Sequence, residues 1–339
     1  MDNAPPPPPA RLMQLIWPGA LAAQAVHAAA RLGIADILHP GPRTADDIAR
    51  RAHADPGAMR RLLHALTSLD LVHHDGNDQF RTTPLGDTLR TGSPLRAWAL
   101  MLGSPFTWQP WGRLVHTVRT GTCAFDDCFG MSFPEYMATH PEEADAFDAA
   151  MDVNASVAIP GILAACDFSR FHTIVDVGGG RGSLLAGILD AHPGARGILF
   201  DLPAVVADHT RLRITHLGER CTTKAGDYFD HVPAGDALLL KNILHGLSDQ
   251  QAGEVLQHCR TAIRPRGRLI LVETILDPQV TARPEQALMD LMMLTLTNGH
   301  ERTADEFEAL LAAADFTLLH VTPTERGHSV LEAAPRATA

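Results

Sequence analysis

Asp176-Val177-Gly178-Gly179-Gly180-Arg181-Gly182 follows the apolar run Thr173-Ile174-Val175. An acid followed by glycines at alternate positions delivers a strand into a tight turn. With no Cβ at the glycines, a ligand can lie directly on the backbone. A helix is expected to start near Ser183, with its first N–H groups facing that ligand. The dinucleotide fingerprint is G-x-G-x-x-G. Here the third glycine comes one residue early, and Ser183 stands where that motif wants glycine. Asp176 suits a cationic or hydroxyl-bearing ligand better than a pyrophosphate. S-adenosylmethionine (SAM) carries an ammonium, a sulfonium and no phosphate, so Asp176, Gly178 and Gly180 are its expected contacts. The alternative for this segment alone is a glycine-rich turn that binds nothing.

Further polar residues recur where strands should end. Asp201 and Leu202 lie in Phe200-Asp201-Leu202-Pro203, 19 residues past Gly182. An acid at that place can accept both ribose hydroxyls. Next comes Gly226-Asp227-Tyr228-Phe229, in which Asp227 can bond an adenine amino group and Tyr228 can pack on the ring. Leu240-Lys241-Asn242-Ile243-Leu244-His245 follows, then Glu273, then Glu301 in His300-Glu301-Arg302-Thr303. Singly, each acid reads as a helix cap or a surface charge. At successive strand ends they form a set.

The elements that must hold this set alternate from Phe171 onward. Strands are expected at Thr173 to Val177, Arg196 to Phe200, Ala237 to Lys241, Arg268 to Glu273, Thr317 to Val321 and near Ser329 to Ala333, with helices between. The pattern predicts a parallel, doubly wound α/β sheet with ligands at the carboxyl ends of its strands. Upstream, Leu12 to Leu38 is apolar on every side. Such a helix is buried on more than one face, either against a second subunit or inside the fold. Thr44 is an expected N-cap with Asp46 and Asp47 in the first turn. Asp55 caps a further helix whose stripe is Met59, Leu62, Leu63, Leu66 and Leu69. Asp75-Gly76-Asn77-Asp78 turns a hairpin within Leu71 to Thr83. Helices followed by a hairpin make a winged helix. DNA binding is disfavoured, because acids surround Arg60, Arg61 and His64. From about Ser93 to Ala165 the pattern is mainly helical. Trp98, Met101, Phe106, Trp108 and Trp111 there form either a core or a pocket wall for a flat aromatic ligand. The expected divisions are a proline-rich leader over 1–10, a winged-helix domain over 11–92, a helical pocket region over 93–165 and a Rossmann-like catalytic domain over 166–336.

Composition sets outer limits. With 339 residues the chain is long enough for two domains. A net charge of −11 argues against a nucleic-acid partner. No uninterrupted apolar run is long enough to span a bilayer, and no signal peptide is visible, so the cytoplasm is expected. Pro5 to Pro9 read as an extended, solvated leader. The five cysteines have no C-x-x-C pair and read as free thiols. Lysine occurs only at Lys224 and Lys241, in a chain that otherwise uses arginine.

Taken together, the stretches D-V-G-G-G-R-G, F-D-L-P, G-D-Y-F, L-K-N-I-L-H, R-G-R-L-I-L-V-E (Arg266 to Glu273) and E-R-T resemble the class I SAM-dependent O-methyltransferases of the caffeate and flavonoid type, including bacterial relatives that decorate antibiotics and pigments. Order and spacing match from about Leu12 to Leu331. The resemblance implies a homodimer joined through the first domain, SAM as cofactor, and an aromatic acceptor methylated on a phenolic or enolic hydroxyl. It implies that His245 is the general base, flanked and oriented by Glu273 and Glu301. Asp201, Asp227 and Lys241 correspond to SAM contacts. Met151 and Met293 correspond to acceptor-pocket residues, with Phe147 near them, and Trp108 is a further expected wall residue. No metal is expected, since neither a magnesium-type acid cluster nor a zinc spacing is evident. Two positions depart from the family's H-D-W: the chain continues His245-Gly246-Leu247. This keeps open a SAM-binding relative that hydroxylates, decarboxylates or rearranges its substrate. A SAM-sensing winged-helix regulator is the remaining alternative.

Overall fold

The computed structural model describes residues 8–207, 212–277, 284–325 and 327–336. It divides into two contact units, Met1–Trp108 with Asp145–Ala150, and Gln109–Ala144 with Met151–Ala339.

In the first unit, α1 (Pro8–Gln14), a π turn (Leu15–Gly19) and α2 (Ala20–Arg31) follow one another. Pro8 and Pro9 thus open a helix rather than extend a leader, while Pro5 to Pro7 lie outside the described residues. The π turn contains Pro18, whose missing N–H breaks the regular ladder. Gly33, with φ 63°, stops the run before α3 (Ile34–Leu38). Thr44 accepts from Asp47 N and caps α4 (Ala45–Arg51), and Asp55 accepts from Ala58 N and caps α5 (Pro56–Ser68). Strands β1 (Arg43–Thr44), β2 (Val72–His74) and β3 (Gln79–Thr82) form a small antiparallel sheet in the order β1-β3-β2, which completes the wing. Ile48, Met59, Leu63, Leu66 and Phe80 fill its core. Arg60 of α5 pairs with Asp46 and Asp78. Within the single chain the start of the apolar segment is uncovered, which sets aside internal burial for it and leaves the second-subunit alternative: Leu12, Met13, Leu15, Ile16, Trp17 and Leu21 are each 55–70% exposed. Helix α6 (Pro94–Gly103) packs on α2 so closely that a Cβ at Gly103 would lie 2.2 Å from His27 Cβ.

Helices α7 (Pro105–Trp111), α8 (Leu114–Thr120), α9 (Ala124–Phe129), α10 (Phe133–Thr139) and α11 (Pro141–Ala165) follow. Among the described residues, α11 is long and apolar enough to meet the length and composition of a membrane span. It nevertheless carries Asp152 and Asn154, both hydrogen-bonded within the second unit.

The second unit is built on a seven-stranded sheet of β4 (Thr173–Val177), β5 (Arg196–Asp201), β6 (Cys221–Ala225), β7 (Gly235–Lys241), β8 (Ile263–Glu273), β9 (Phe316–Pro323) and β10 (Ser329–Pro335), in the order β6-β5-β4-β7-β8-β10-β9. Helices α12 (Ser183–Ala191), α13 (Pro203–Val206), α14 (Asp249–Ala262), α15 (Pro284–Leu296) and α16 (Ala304–Ala313) connect its strands. Side chains alternate strictly across it. Ile174, Leu199, Leu239, Val272 and Val330 enter one core, while Val175, Phe200, Leu240, Leu271 and Leu331 enter the other. Two features differ from the sequence expectation. Strand β6, Cys-Thr-Thr-Lys-Ala, was not expected, because it is a half-exposed edge strand without an apolar run. The sheet is mixed rather than parallel: β10 runs antiparallel to β8 and β9, since a short connection after β9 returns the chain as a hairpin.

Candidate active site

Strand β4 ends in the glycine turn. Gly178, Gly180 and Gly182 have φ of 66°, 58° and 81°, so residues with side chains would be strained there. A Cβ at Gly178 would sit 2.5 Å from Ile243 Cδ1 and 3.7 Å from Tyr228 Cε1, which places Tyr228 beside the turn. Asp201 Oδ2 accepts from Gly180 N at 2.7 Å, and its Oδ1 accepts from Leu202 N at 2.7 Å. The acid at the end of β5 therefore fixes the shape of the turn, with lone pairs remaining on both oxygens. Burial raises its pKa, and the two N–H donors oppose that rise. Asp227 Oδ1 accepts from Phe229 N at 2.8 Å, closing the Gly226–Phe229 corner. Burial, and then the charges of Asp201 and Asp227, push the Tyr228 phenol up to about 12, so its ring stays neutral.

Asp176 is buried, and its Oδ2 has no hydrogen-bond partner. Burial and the charge of Asp201 push it up to about 7, against the pull of Lys241. Lys241, at the end of β7, donates to Asn154 of α11. Burial lowers its pKa to about 8, opposed by Glu273 and Asp176. A glycine cradle beside an unsatisfied buried carboxylate fits a cationic ligand.

After Lys241 the chain turns through Asn242, a non-glycine residue at φ 54°. This turn brings His245 into a single 3₁₀ turn, Leu244–Gly246. His245 Nδ1 lies 3.0 Å from Glu301 Oε1. With Nδ1–H donating to that carboxylate, Nε2 is left as the proton acceptor. The side chain keeps 14% exposure while that of Glu301 is fully buried. Burial alone would lower the imidazole pKa. The Glu301 hydrogen bond and the charges of Glu273 and Glu301 outweigh it, and the net shift is upward. Glu273 acts through the backbone beside the base. Its Oε1 accepts from Ile243 N at 3.1 Å and Leu244 N at 2.9 Å, so it holds the backbone of the turn that carries the base. Burial, and also the charge of Glu301, push it up to about 7, against His245 and those N–H groups. His245, Glu273 and Glu301 offer ligand atoms within 4.8 Å of one another, the one group among the described residues that could hold a metal ion.

Sequence reasoning missed the residues that grip this turn. Arg302 is buried; its Nη1 donates to Leu244 O at 2.6 Å and its Nη2 to Leu247 O at 2.9 Å. Its Nε and Nη2 also donate to Asp249 Oδ1, at 3.0 and 2.8 Å. Asp290 Oδ1 accepts from Glu301 N at 2.8 Å. A Cβ at Gly299 would stand 2.1 Å from His245 O, so only glycine allows this approach. The E-R-T triplet carries the signal, since Arg302 stands next to the acid that meets the base. His328 was also unexpected. It is buried with Nδ1 unpartnered, and its pKa is pulled down to about 4 by burial and by the charges of Lys241 and His245. The departures from H-D-W are locally accommodated. A Cβ at Gly246 would meet only Thr297 Oγ1, at 3.9 Å, and Leu247 is buried in the sheet core.

The four expected acceptor residues fall in both units. Met151 and Met293 belong to the unit that holds His245, whereas Trp108 and Phe147 belong to the first. Met293 is buried on α15 and Met151 half-buried on α11.

Residues 111–317 match the O-methyltransferase domain family, and residues 16–92 match the O-methyltransferase dimerisation domain. The chain belongs to the O-methyltransferase family. As a member it is a SAM-dependent O-methyltransferase, and the cradle at Asp176–Gly182 fits that cofactor. Phenazine O-methyltransferase PhzM of Lysobacter antibioticus is 39% identical over 328 residues, covering 96% of this chain and 95% of that protein. The crystal structure of LaPhzM superposes with a TM-score of 0.91 at 38% identity, covering 97% of this chain and 100% of that one. The O-methyltransferase NcsB1 from neocarzinostatin biosynthesis, solved with SAM and 2-hydroxy-5-methyl naphthoic acid, gives 0.81 at 30% identity, covering 93% and 96%.

Proposed function

We propose that this O-methyltransferase methylates a phenolic or enolic hydroxyl of a flat aromatic secondary metabolite, with His245 as general base and no metal. The observation that carries the reading is the His245–Glu301 bond, which commits Nδ1 and leaves Nε2 free to accept a proton. When bound, SAM supplies an electrophilic methyl group. The protein must align the acceptor oxygen and remove its proton. A phenol has a pKa of about 10 and free histidine about 6.5, so a more basic imidazole lowers the cost of that transfer. Glu301 provides this basicity, and Glu273 with Arg302 holds the turn still. Asp201, Leu202, Gly226, Asp227, Tyr228 and Lys241 are the proposed remaining cofactor contacts; Met151, Met293, Phe147 and Trp108 are the proposed acceptor contacts. The phenazine and naphthoate acceptors of similar proteins support a fused aromatic ring system. The test is a panel of hydroxylated phenazines and naphthoates with labelled SAM, following S-adenosylhomocysteine (SAH) and product mass. SAH released without a methylated product would overturn the reading.

The pH dependence follows from the same pair. Only neutral His245 can accept the proton, and its pKa is raised. Acceptor kcat/KM should therefore rise with pH to a plateau, with a midpoint above the usual histidine value. In Glu301→Gln the midpoint should move downward. A midpoint that stays put in the variant would dissociate Glu301 from the base.

We further propose that the enzyme is a homodimer joined through its first unit. The uncovered row from Leu12 to Leu21 lies at the edge of the region matching the dimerisation domain. Left in water, such a row invites aggregation. Light scattering should give twice the 36.5 kDa chain mass. A monodisperse, active monomer at micromolar concentration is the outcome that contradicts this.

A further inference from the structure

Helix α11 is tied to the cofactor side of the second unit at three points. Asp152 Oδ1 accepts from Ser183 Oγ at 2.8 Å. Asp152 Oδ2 accepts from Arg213 Nε at 3.3 Å and lies 3.7 Å from Arg181 Nη1. Asn154 Oδ1 accepts from Lys241 Nζ. Farther along, a Cβ at Gly187 of α12 would sit 2.8 Å from Ile159 Cδ1, so the two helices pack backbone to side chain.

Among the described residues, the partners of the Asp152 carboxylate belong to the glycine turn or are fixed to it. Arg181 lies within the turn, and Ser183 is the first residue of α12. Arg213 is fixed to the turn by its own N–H, which donates to Arg181 O at 2.8 Å. Asp152, Arg181 and Ser183 are each no more than 9% exposed. A buried carboxylate is retained only where it is paired, and removing one partner leaves the rest unsatisfied. Ser183 occupies the place where a dinucleotide fold has glycine, and its hydroxyl here finds an acid on the neighbouring helix. One residue before Asp152 stands Met151, a proposed acceptor contact.

We propose that Asp152 is a positioning residue that couples occupancy of the glycine turn to the placement of α11. A ligand on the turn orders Arg181 and Ser183. These fix the Asp152 carboxylate, and with it the α11 segment from Met151 to Ala165 within the second unit. Asn154 makes the second tie, to Lys241 at the end of β7. The cofactor would thus organise the acceptor side before the acceptor arrives. That α11 faces the acceptor rests on the proposed function; the coupling does not, and its test uses no acceptor.

Hydrogen exchange of the full-length protein with and without SAH reads the coupling. In the wild type, SAH should slow exchange across residues 151–158 by about fivefold or more, the low end of site-to-site coupling. Asp152→Ala should bind SAH by calorimetry yet lose that slowing. Asp152→Asn keeps an oxygen for Ser183 and should retain most of it. Ser183→Ala removes the Oδ1 partner and leaves Arg181 and Arg213 on Oδ2, so it should reduce the slowing without abolishing it, which covers the case where Asp152→Ala fails to fold. A purely structural role would raise exchange equally with and without SAH. The proposal is overturned if Asp152→Ala or Ser183→Ala shows the wild-type SAH effect, or if the wild type shows none.

Discussion

Replacing His245 with alanine is expected to lower methyl transfer by about 10²–10⁴-fold, the usual contribution of a positioned general base. SAM affinity should stay close to wild type, because the groups that shape the glycine turn are Asp201 and its own glycines. The loss should be greatest at neutral pH, where a phenol is almost wholly protonated. It should shrink toward the phenol's own pKa of about 10, where solvent does the work of the base. Turnover as a function of pH, with calorimetric titration of SAM, measures both halves. Near-wild-type turnover at neutral pH on an un-ionised phenol would remove His245 from the mechanism.

Arg302 carries the second large effect. Replacing it with methionine keeps much of the side-chain bulk but deletes every donor. The carbonyls of Leu244 and Leu247 lose their Arg302 donors, and the bond to Asp249 goes. Hydrogen bonds to charged groups contribute roughly 1.5–3 kcal/mol each, so a loss of about 3–5 kcal/mol is expected. The urea midpoint should fall with an unchanged slope. Turnover at a temperature where the variant is still folded should fall too, since the released carbonyls flank the base. A stability change below about 1 kcal/mol would mean that water replaces the guanidinium at no cost, and that the turn does not depend on it.

The site was readable where strands end. Asp176, Asp201, Lys241 and Glu273 each follow directly on an unbroken apolar run, Ile174-Val175, Ile198 to Phe200, Ala237 to Leu240 and Leu269 to Val272, and that punctuation survives in the sequence. What each acid does was not readable. The carboxylates of Asp201 and Glu273 are engaged by backbone N–H groups of turns that exist only in the folded chain. Asp152 and Asn154 were invisible for a related reason. Both sit in a helix, and their partners come from distant segments. The fold shows the same division. Thr44 and Asp55 announce their helices because a cap is local chemistry. Strand β6 and the insertion of β10 between β8 and β9 are decided by neighbours in space.

The position of β10 sets a schedule for the birth of the enzyme. This last strand is inserted between β8 and β9, with Ser329 opposite Glu273. As the chain leaves the ribosome, β4 to β8 emerge early and can pair with one another. The flank of β8 that holds Glu273 must wait for β10, some 56 residues later in the chain, before it gains its partner. Long-range pairing of this kind is slow, and an unpaired strand edge is an aggregation hazard while it lasts. A nascent chain that has exposed β8 but not yet β10 would present an open, sticky edge to its neighbours on the same message.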